Sequence, residues 1–195
     1  MIIYSDIDEV LHEYRTAFYR ELKILYDINI DNSLMPDEYD FGKILKEKFD
    51  LPEKEFYNLI DHINLIEEWI PTSFSKHIIN FLKKREEKGD QIFFVTARTS
   101  RRGANYIIKE IFGKHMPIIQ CDAQYKKYII NDKSIYFEDR GDTVESCSEK
   151  NKNSLIIVPE WPWNSYLRDK NLENVKVCKH DDFERILEEI NENTN

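Results

Sequence analysis

The sequence predicts an α/β fold: a Rossmann-like, mostly parallel sheet flanked by helices, with a small helical cap inserted near the start. Three observations carry this. Short apolar runs of strand length alternate with segments of helical periodicity along most of the chain. Runs such as "QIFFVT" and "SLIIV" are nearly continuous in apolar residues, as strands buried on both faces are. One stretch, residues 25–72, breaks the alternation with aromatic and acidic helical patterns and no convincing strand.

The elements follow in order. Ile2, Ile3 and Tyr4 open the first strand. Tyr14, Phe18, Leu22 and Leu25 repeat at helical spacing behind it. Polar and turn-forming residues around "DNSLMPDEYDFG" come next, then helical pieces up to Trp69. "SFSKHIINFLKKREEKG" reads as a helix closed by Gly89, and it feeds the strand "QIFFVT". A helix from near Arg101 runs through "YIIKEIFG". "PIIQ", "SIYFE", "SLIIV" and "VKVCK" supply further strands, and "DDFERILEEI" a last helix. This alternation places an α/β core at residues 1–24 and 73–195 and the cap at residues 25–72.

The bulk numbers bound the function. A chain of 195 residues builds one substantial core with a small insert. A net charge of −9 argues against a generic binder of anionic membranes and against stable nucleic-acid binding, while leaving room for a local phosphate pocket. No run of 18 apolar residues is present, so no transmembrane helix is expected. The start of the chain lacks a basic segment followed by an apolar one, and Cys121, Cys147 and Cys178 are isolated; both fit reduced thiols in a cytoplasmic protein. The oligomeric state is left open.

The candidate chemistry lies just after the strands, where ligands of open α/β sheets bind. Asp6 and Asp8 follow the first strand at a spacing that puts both on one face of an extended segment, where their charges repel. A bound cation is the usual compensation. Thr96 follows the second strand, in "VTARTS". Glu138, Asp139 and Asp142 follow "SIYF", and Lys126 and Lys127 precede it. Carboxylates suit Mg²⁺, a hard cation that prefers oxygen. A hydroxyl and an ammonium suit phosphoryl oxygens, and an aspartate can attack phosphorus.

"DIDEV", "VTAR", the downstream lysine and "EDRGD" in this order resemble the four motifs of the haloacid dehalogenase (HAD) superfamily, from Ile2 to Val158. "FEDRGDT" and "LIIVPEWPWN" further resemble segments of its 5'(3')-deoxyribonucleotidases. The resemblance implies a Mg²⁺-dependent phosphomonoesterase acting through an aspartyl-phosphate, with a small phosphorylated partner, a nucleotide, as substrate. It implies Asp6 as nucleophile and metal ligand. Asp8 is implied as general acid/base and metal ligand through its backbone carbonyl. Thr96 and Ala97 would bind the phosphate. Lys127 is expected as the motif lysine, with Lys126 its rival. Asp139 is expected on the metal with Glu138 or Asp142, and Arg140 on the substrate. Glu9 departs from the pattern, standing where a glycine is common.

Two readings concern aromatic residues. Trp69 is the expected pocket aromatic, and the cap residues Tyr39, Phe41, Phe56 and Tyr57 mostly form a small core. Trp161 and Trp163 are expected to brace the loop beside the site.

Overall fold

The computed structural model describes residues 1–30 and 41–193. Among the described residues, six strands form one sheet: β1 (Ile2–Ser5), β2 (Gln91–Thr96), β3 (Ile118–Gln120), β4 (Ile135–Phe137), β5 (Leu155–Pro159) and β6 (Val175–Cys178). Their order is β3-β2-β1-β4-β5-β6, and every pairing is parallel. The register sets Ser5 beside both Phe94 and Phe137, so β1 and β4 end together and β2 runs two residues further, to Thr96. The expected α/β class is therefore observed.

Successive residues of each strand feed opposite cores. Ile3, Phe94, Phe137 and Ile157 pack beneath α4 (Ser75–Glu87), α5 (Arg101–Phe112) and α8 (His180–Asn193). Tyr4, Val95, Tyr136, Ile156 and Val158 pack on the other face, with Val144 and Cys147 of α7 (Gly141–Lys150). Burial on both faces is why the strands read as continuous apolar runs.

A third apolar cluster lies apart from the sheet. It joins α1 (Tyr14–Tyr26), α2 (Phe41–Phe49) and α3 (Glu53–Leu65) through Ala17, Phe18, Leu22, Ile44, Leu45, Leu59 and Ile63. On our reading this packing starts the cap unit before Tyr14 rather than at residue 25, because the apolar face of α1 turns to α2 and α3. Tyr39 and the Phe41 side chain lie outside the described residues. Phe56 packs against the cluster, 6.1 Å from the Phe18 ring, and Tyr57 is exposed.

Cap and core meet along a seam of specific bonds. Trp69 Nε1 donates to Leu11 O at 3.0 Å and Thr72 Oγ1 to Val10 O at 2.8 Å. Asn64 Nδ2 donates to Thr99 Oγ1 at 2.9 Å, and that hydroxyl donates to Asp61 at 2.8 Å. Gly103, in the first turn of α5, lets α3 come close: a β-carbon there would lie 2.7 Å from Asn64 O and 2.9 Å from Ile66 O. Among the described residues, no helix is long and apolar enough to cross a membrane.

Candidate active site at the strand ends

The ends of the adjacent strands β1 and β4 bring three buried carboxylates together. Asp6, Glu138 and Asp139 each place an oxygen within 4.8 Å of the others. The Lys126 ammonium sits among them. It bonds Asp6 Oδ2 and, at 2.9 Å, Glu138 Oε2. Lys126 comes from the short helix α6 (Lys126–Ile129) and is 1% exposed, so the backbone there points its whole stem inward. This corrects the expected choice of lysine. Lys127, next along the helix, points elsewhere and lays its ammonium 5.5 Å from the Tyr128 ring centroid. Adjacent helical residues face different directions, and sequence spacing alone does not say which turns inward.

Glu138 is fully engaged. Its Oε2 also accepts from the Tyr136 hydroxyl, and its Oε1 accepts from the Arg140 N–H at 3.1 Å. Asp6 Oδ1 accepts from the Ile7 N–H at 2.7 Å. Asp139 Oδ2 accepts from Trp163 Nε1 at 3.2 Å, whereas its Oδ1 is buried with no hydrogen-bond partner. A buried acceptor left without a donor is costly.

The charges do not balance either. With all three carboxylates ionised, the one ammonium would leave two negative charges among buried side chains. Burial pushes the Asp6 carboxyl well above its ordinary range, opposed by Lys126 and reinforced by Glu138 and Asp8. Burial, then the Glu138 and Asp6 charges, push Asp139 up as well. Burial opposes the charge on Lys126, but Asp6 and Glu138 override it and hold the ammonium above its usual range. An orphaned carboxylate oxygen and a local excess of two negative charges fit a divalent cation held by Asp6 and Asp139. Asp142 is not in this trio; its carboxylate pairs with Arg140 at 2.6 Å.

Asp8 stands apart from the trio. Its carboxylate faces Arg98, whose Nη2 lies 2.6 Å from Oδ1 and whose Nε lies 3.1 Å from both oxygens. Thr96, at the end of β2, is fully buried, and its Oγ1 accepts from the Arg98 N–H at 3.2 Å. Asp8, Ala97 and Arg98 line a cavity of about 530 Å³. Arg140 and Asp142 flank it from the β4 side, and Tyr14, Phe56 and Asn64 close it from the cap.

Trp163 and Tyr166 complete the aromatic wall. Trp69 is not part of it: its indole is spent on the Leu11 carbonyl and its ring packs on the main core. Trp163 stacks on Trp161 with centroids 5.2 Å apart and planes 8° apart. Trp161 Nε1 donates to Glu9 O at 2.9 Å, and Asn164 Nδ2 donates to Asp139 O at 2.8 Å. The "WPWN" loop thus braces both acidic segments, as expected of its two tryptophans. Glu9 has φ 55, the left-handed conformation that favours glycine. Its carboxylate accepts from the Arg15 N–H at 2.7 Å, and burial pushes it up to about 8.

The Arg98 fork, the Tyr136 hydroxyl bond and the Trp163 indole bond emerge only from the structure. Arg98 directly follows the Thr96–Ala97 segment, and Tyr136 lies two residues before Glu138 on the same strand face. Those positions were the available signals.

No protein-family model matches the chain, and no curated protein matches it in sequence. Solved structures do. A HAD-superfamily hydrolase from Ehrlichia chaffeensis superposes with a TM-score of 0.51 at 17% identity, covering 100% of this chain and 97% of that one. A haloacid dehalogenase-like hydrolase from Burkholderia xenovorans gives 0.51 at 9% identity, covering 93% and 96%. The chain has the fold of HAD-superfamily hydrolases.

Proposed function

We propose that the chain is a Mg²⁺-dependent phosphomonoesterase that works through an aspartyl-phosphate on Asp6 and acts on nucleoside monophosphates. The observation that carries the reading is the trio of buried carboxylates with the Asp139 Oδ1 orphan, beside a cavity lined by Asp8, Ala97 and Arg98. Asp6 and Asp139 would hold the cation. When bound, Mg²⁺ supplies charge that offsets the repulsion between a carboxylate and a phosphate dianion.

The chain's own residues divide the remaining work. Lys126 holds Asp6 Oδ2 in place and leaves a positive charge where phosphoryl oxygens gather. Thr96 and the N–H groups after it form the phosphate loop. An Asp6 oxygen forms a bond to phosphorus as the bond to the ester oxygen breaks, with the electron pair leaving on that oxygen. Asp8 gives the departing oxygen its proton and then takes one from a water whose oxygen bonds phosphorus as the phosphorus–Asp6 bond breaks, freeing phosphate and the Asp6 carboxylate. Glu138 serves as the counter-charge of Lys126, and its Oε2 also accepts from the Tyr136 hydroxyl.

The cavity supports the substrate class. Its size, about 530 Å³, falls within the span of small-molecule pockets. Tyr14, Phe56 and Tyr166 offer ring surfaces for a base, and Arg140 a donor at its rim. The setting is cytoplasmic. A second reading, a HAD phosphatase for another small phosphate ester, keeps the same chemistry and differs only in what fills the aromatic side.

The test is turnover of p-nitrophenyl phosphate and of a panel of mononucleotides, sugar phosphates and 3'-phosphorylated oligonucleotides, with Mg²⁺ and with excess chelator. Mononucleotides should give the highest kcat/KM, chelator should abolish turnover, and Asp139→Ala should raise the Mg²⁺ concentration required. Full activity in chelator would overturn the metal-dependent mechanism. A higher kcat/KM for sugar phosphates would favour the second reading.

A further inference from the structure

Arg98 is an arginine hidden where a phosphatase would meet its substrate. It is 4% exposed, although it lines the cavity. Its backbone is pinned twice: the N–H donates to Thr96 Oγ1 at 3.2 Å, and the carbonyl accepts from Gln120 Nε2 at 2.6 Å. Its guanidinium carbon lies 5.4 Å from the Tyr14 ring centroid. Gly103 leaves it room, since a β-carbon there would stand 2.8 Å from Nη1.

The contacts with Asp8 are lopsided. Oδ1 accepts from both Nη2, at 2.6 Å, and Nε, at 3.1 Å. Oδ2 accepts only the Nε contact at 3.1 Å. One carboxylate oxygen is therefore anchored, and the other is left the more available of the two. A planar guanidinium imposes such a direction, whereas an ammonium, a point charge with rotatable donors, does not.

We propose that Arg98 is a positioning residue: it anchors Asp8 Oδ1 so that Oδ2 faces the ester oxygen in the cavity. This rests on the phosphomonoesterase reading above. In the step concerned, the phosphorus–oxygen bond breaks toward the leaving oxygen, which takes its proton from Asp8 Oδ2. Arg98 touches neither phosphorus nor the leaving group. Its effect is on the orientation of the proton donor.

The experiment compares Arg98→Lys and Arg98→Ala with the wild type on two esters: p-nitrophenyl phosphate, whose leaving group needs no proton, and β-glycerol phosphate, whose alkoxide does. Inorganic phosphate affinity is measured by calorimetry, and folding by thermal unfolding. Arg98→Lys should lower kcat on the glycerol ester about tenfold or more beyond its effect on the aryl ester. KM and phosphate affinity should stay within about twofold. Added guanidinium ion should restore part of the glycerol-ester kcat of Arg98→Ala and leave its aryl-ester kcat unchanged. In an Asp8→Asn background, Arg98→Lys should cost nothing further.

Equal losses on the two esters would overturn the proposal in favour of a structural role. Loss of phosphate affinity would overturn it in favour of a phosphate ligand. Wild-type turnover of the aryl ester alone would overturn it too, since Asp8 would then deliver no proton. A wild type that turns over neither ester nor any mononucleotide would overturn the phosphomonoesterase reading itself, and this proposal with it. Should Arg98→Ala fail to fold, Arg98→Lys and its double-mutant comparison decide.

Discussion

The strand-end site and the cap–core seam differ in the burial of their charges, since the seam's ion pair, Arg102 to Glu67 at 2.7 Å, is exposed. At the strand ends the ties are charged and buried. Of the six carboxylate oxygens of Asp6, Glu138 and Asp139, five accept hydrogen bonds and Asp139 Oδ1 does not. Along the seam, Trp69 and Thr72 bond backbone carbonyls, and Thr99 links Asn64 to Asp61. The difference teaches where each can fail. Deleting one partner of a buried charge pair strands the other charge, at about 3–5 kcal/mol. Deleting a neutral hydrogen bond costs about 1 kcal/mol and mainly lets two bodies shift.

The largest expected effect is chemical and leaves the fold intact. Asp6→Asn keeps the shape of the nucleophile and removes its charge. Turnover of p-nitrophenyl phosphate should fall by about 10⁴-fold or more. Retention of more than about a tenth of wild-type activity would remove Asp6 from covalent catalysis.

Next comes the pair of lysines. Lys126→Met leaves Asp6 and Glu138 without their shared cation. Unfolding free energy should drop by about 3–5 kcal/mol, and turnover should be lost. Lys127→Met changes a partly exposed residue whose ammonium lies over Tyr128, and should stay within about 0.5 kcal/mol of wild type. Denaturant titration of the two variants side by side checks the assignment; a larger loss for Lys127→Met would reverse it.

The same contrast explains what the sequence made legible. Buried parallel strands leave long apolar runs, so all six strands and their mostly parallel pairing could be read from "IIY", "QIFFVT" and their counterparts. Carboxylates at strand ends are also visible, because ligands bind where strands stop. Rotational detail is not. Whether Lys126 or Lys127 turns inward depends on how a single helical turn docks, and no periodicity exists over four residues. Trp69 looked like a pocket residue by type, yet the Leu11 carbonyl claims its indole while Trp163 holds Asp139. The partnership of Arg98 with Asp8 joins residues 90 apart in sequence, which only the sheet order brings together.

Gly103→Ala probes the seam through packing. Alanine is the better helix former, by about 1 kcal/mol. Against that, the added carbon would sit 2.7 Å from Asn64 O and 2.9 Å from Ile66 O, both backbone atoms that cannot swing aside. Overpacking of this kind costs about 1–3 kcal/mol, so the net effect should be destabilising by about 1 kcal/mol. The glycine earns its place by contact rather than by backbone angle. A variant with a higher melting temperature than wild type would show that α3 yields easily, and that the seam is looser than its distances imply.

The smallest expected effect is at Thr99, and it separates the bonds of the seam from its packing. The hydroxyl stands between an acceptor and a donor. Asp61 can only accept, so Thr99 donates to it and must accept from the Asn64 amide. Thr99→Val removes both bonds at similar volume. Asn64 is 2% exposed, so its amide loses a partner that water replaces poorly, while the exposed Asp61 is readily hydrated. The expected loss is about 1 kcal/mol. Asn64 also lines the cavity from the cap side, three residues along the helix from Asp61. Releasing it should loosen that wall without touching Asp6, Asp8 or Lys126. KM for a mononucleotide should therefore rise by a few-fold while kcat holds, and p-nitrophenyl phosphate, which reaches less far toward the cap, should show a smaller rise. If melting temperature and both KM values stay at wild-type levels, apolar packing alone seats the cap. A fall in kcat on both substrates would instead mean that the cap's position reaches the phosphate loop through Arg98, and that the two regions are mechanically one.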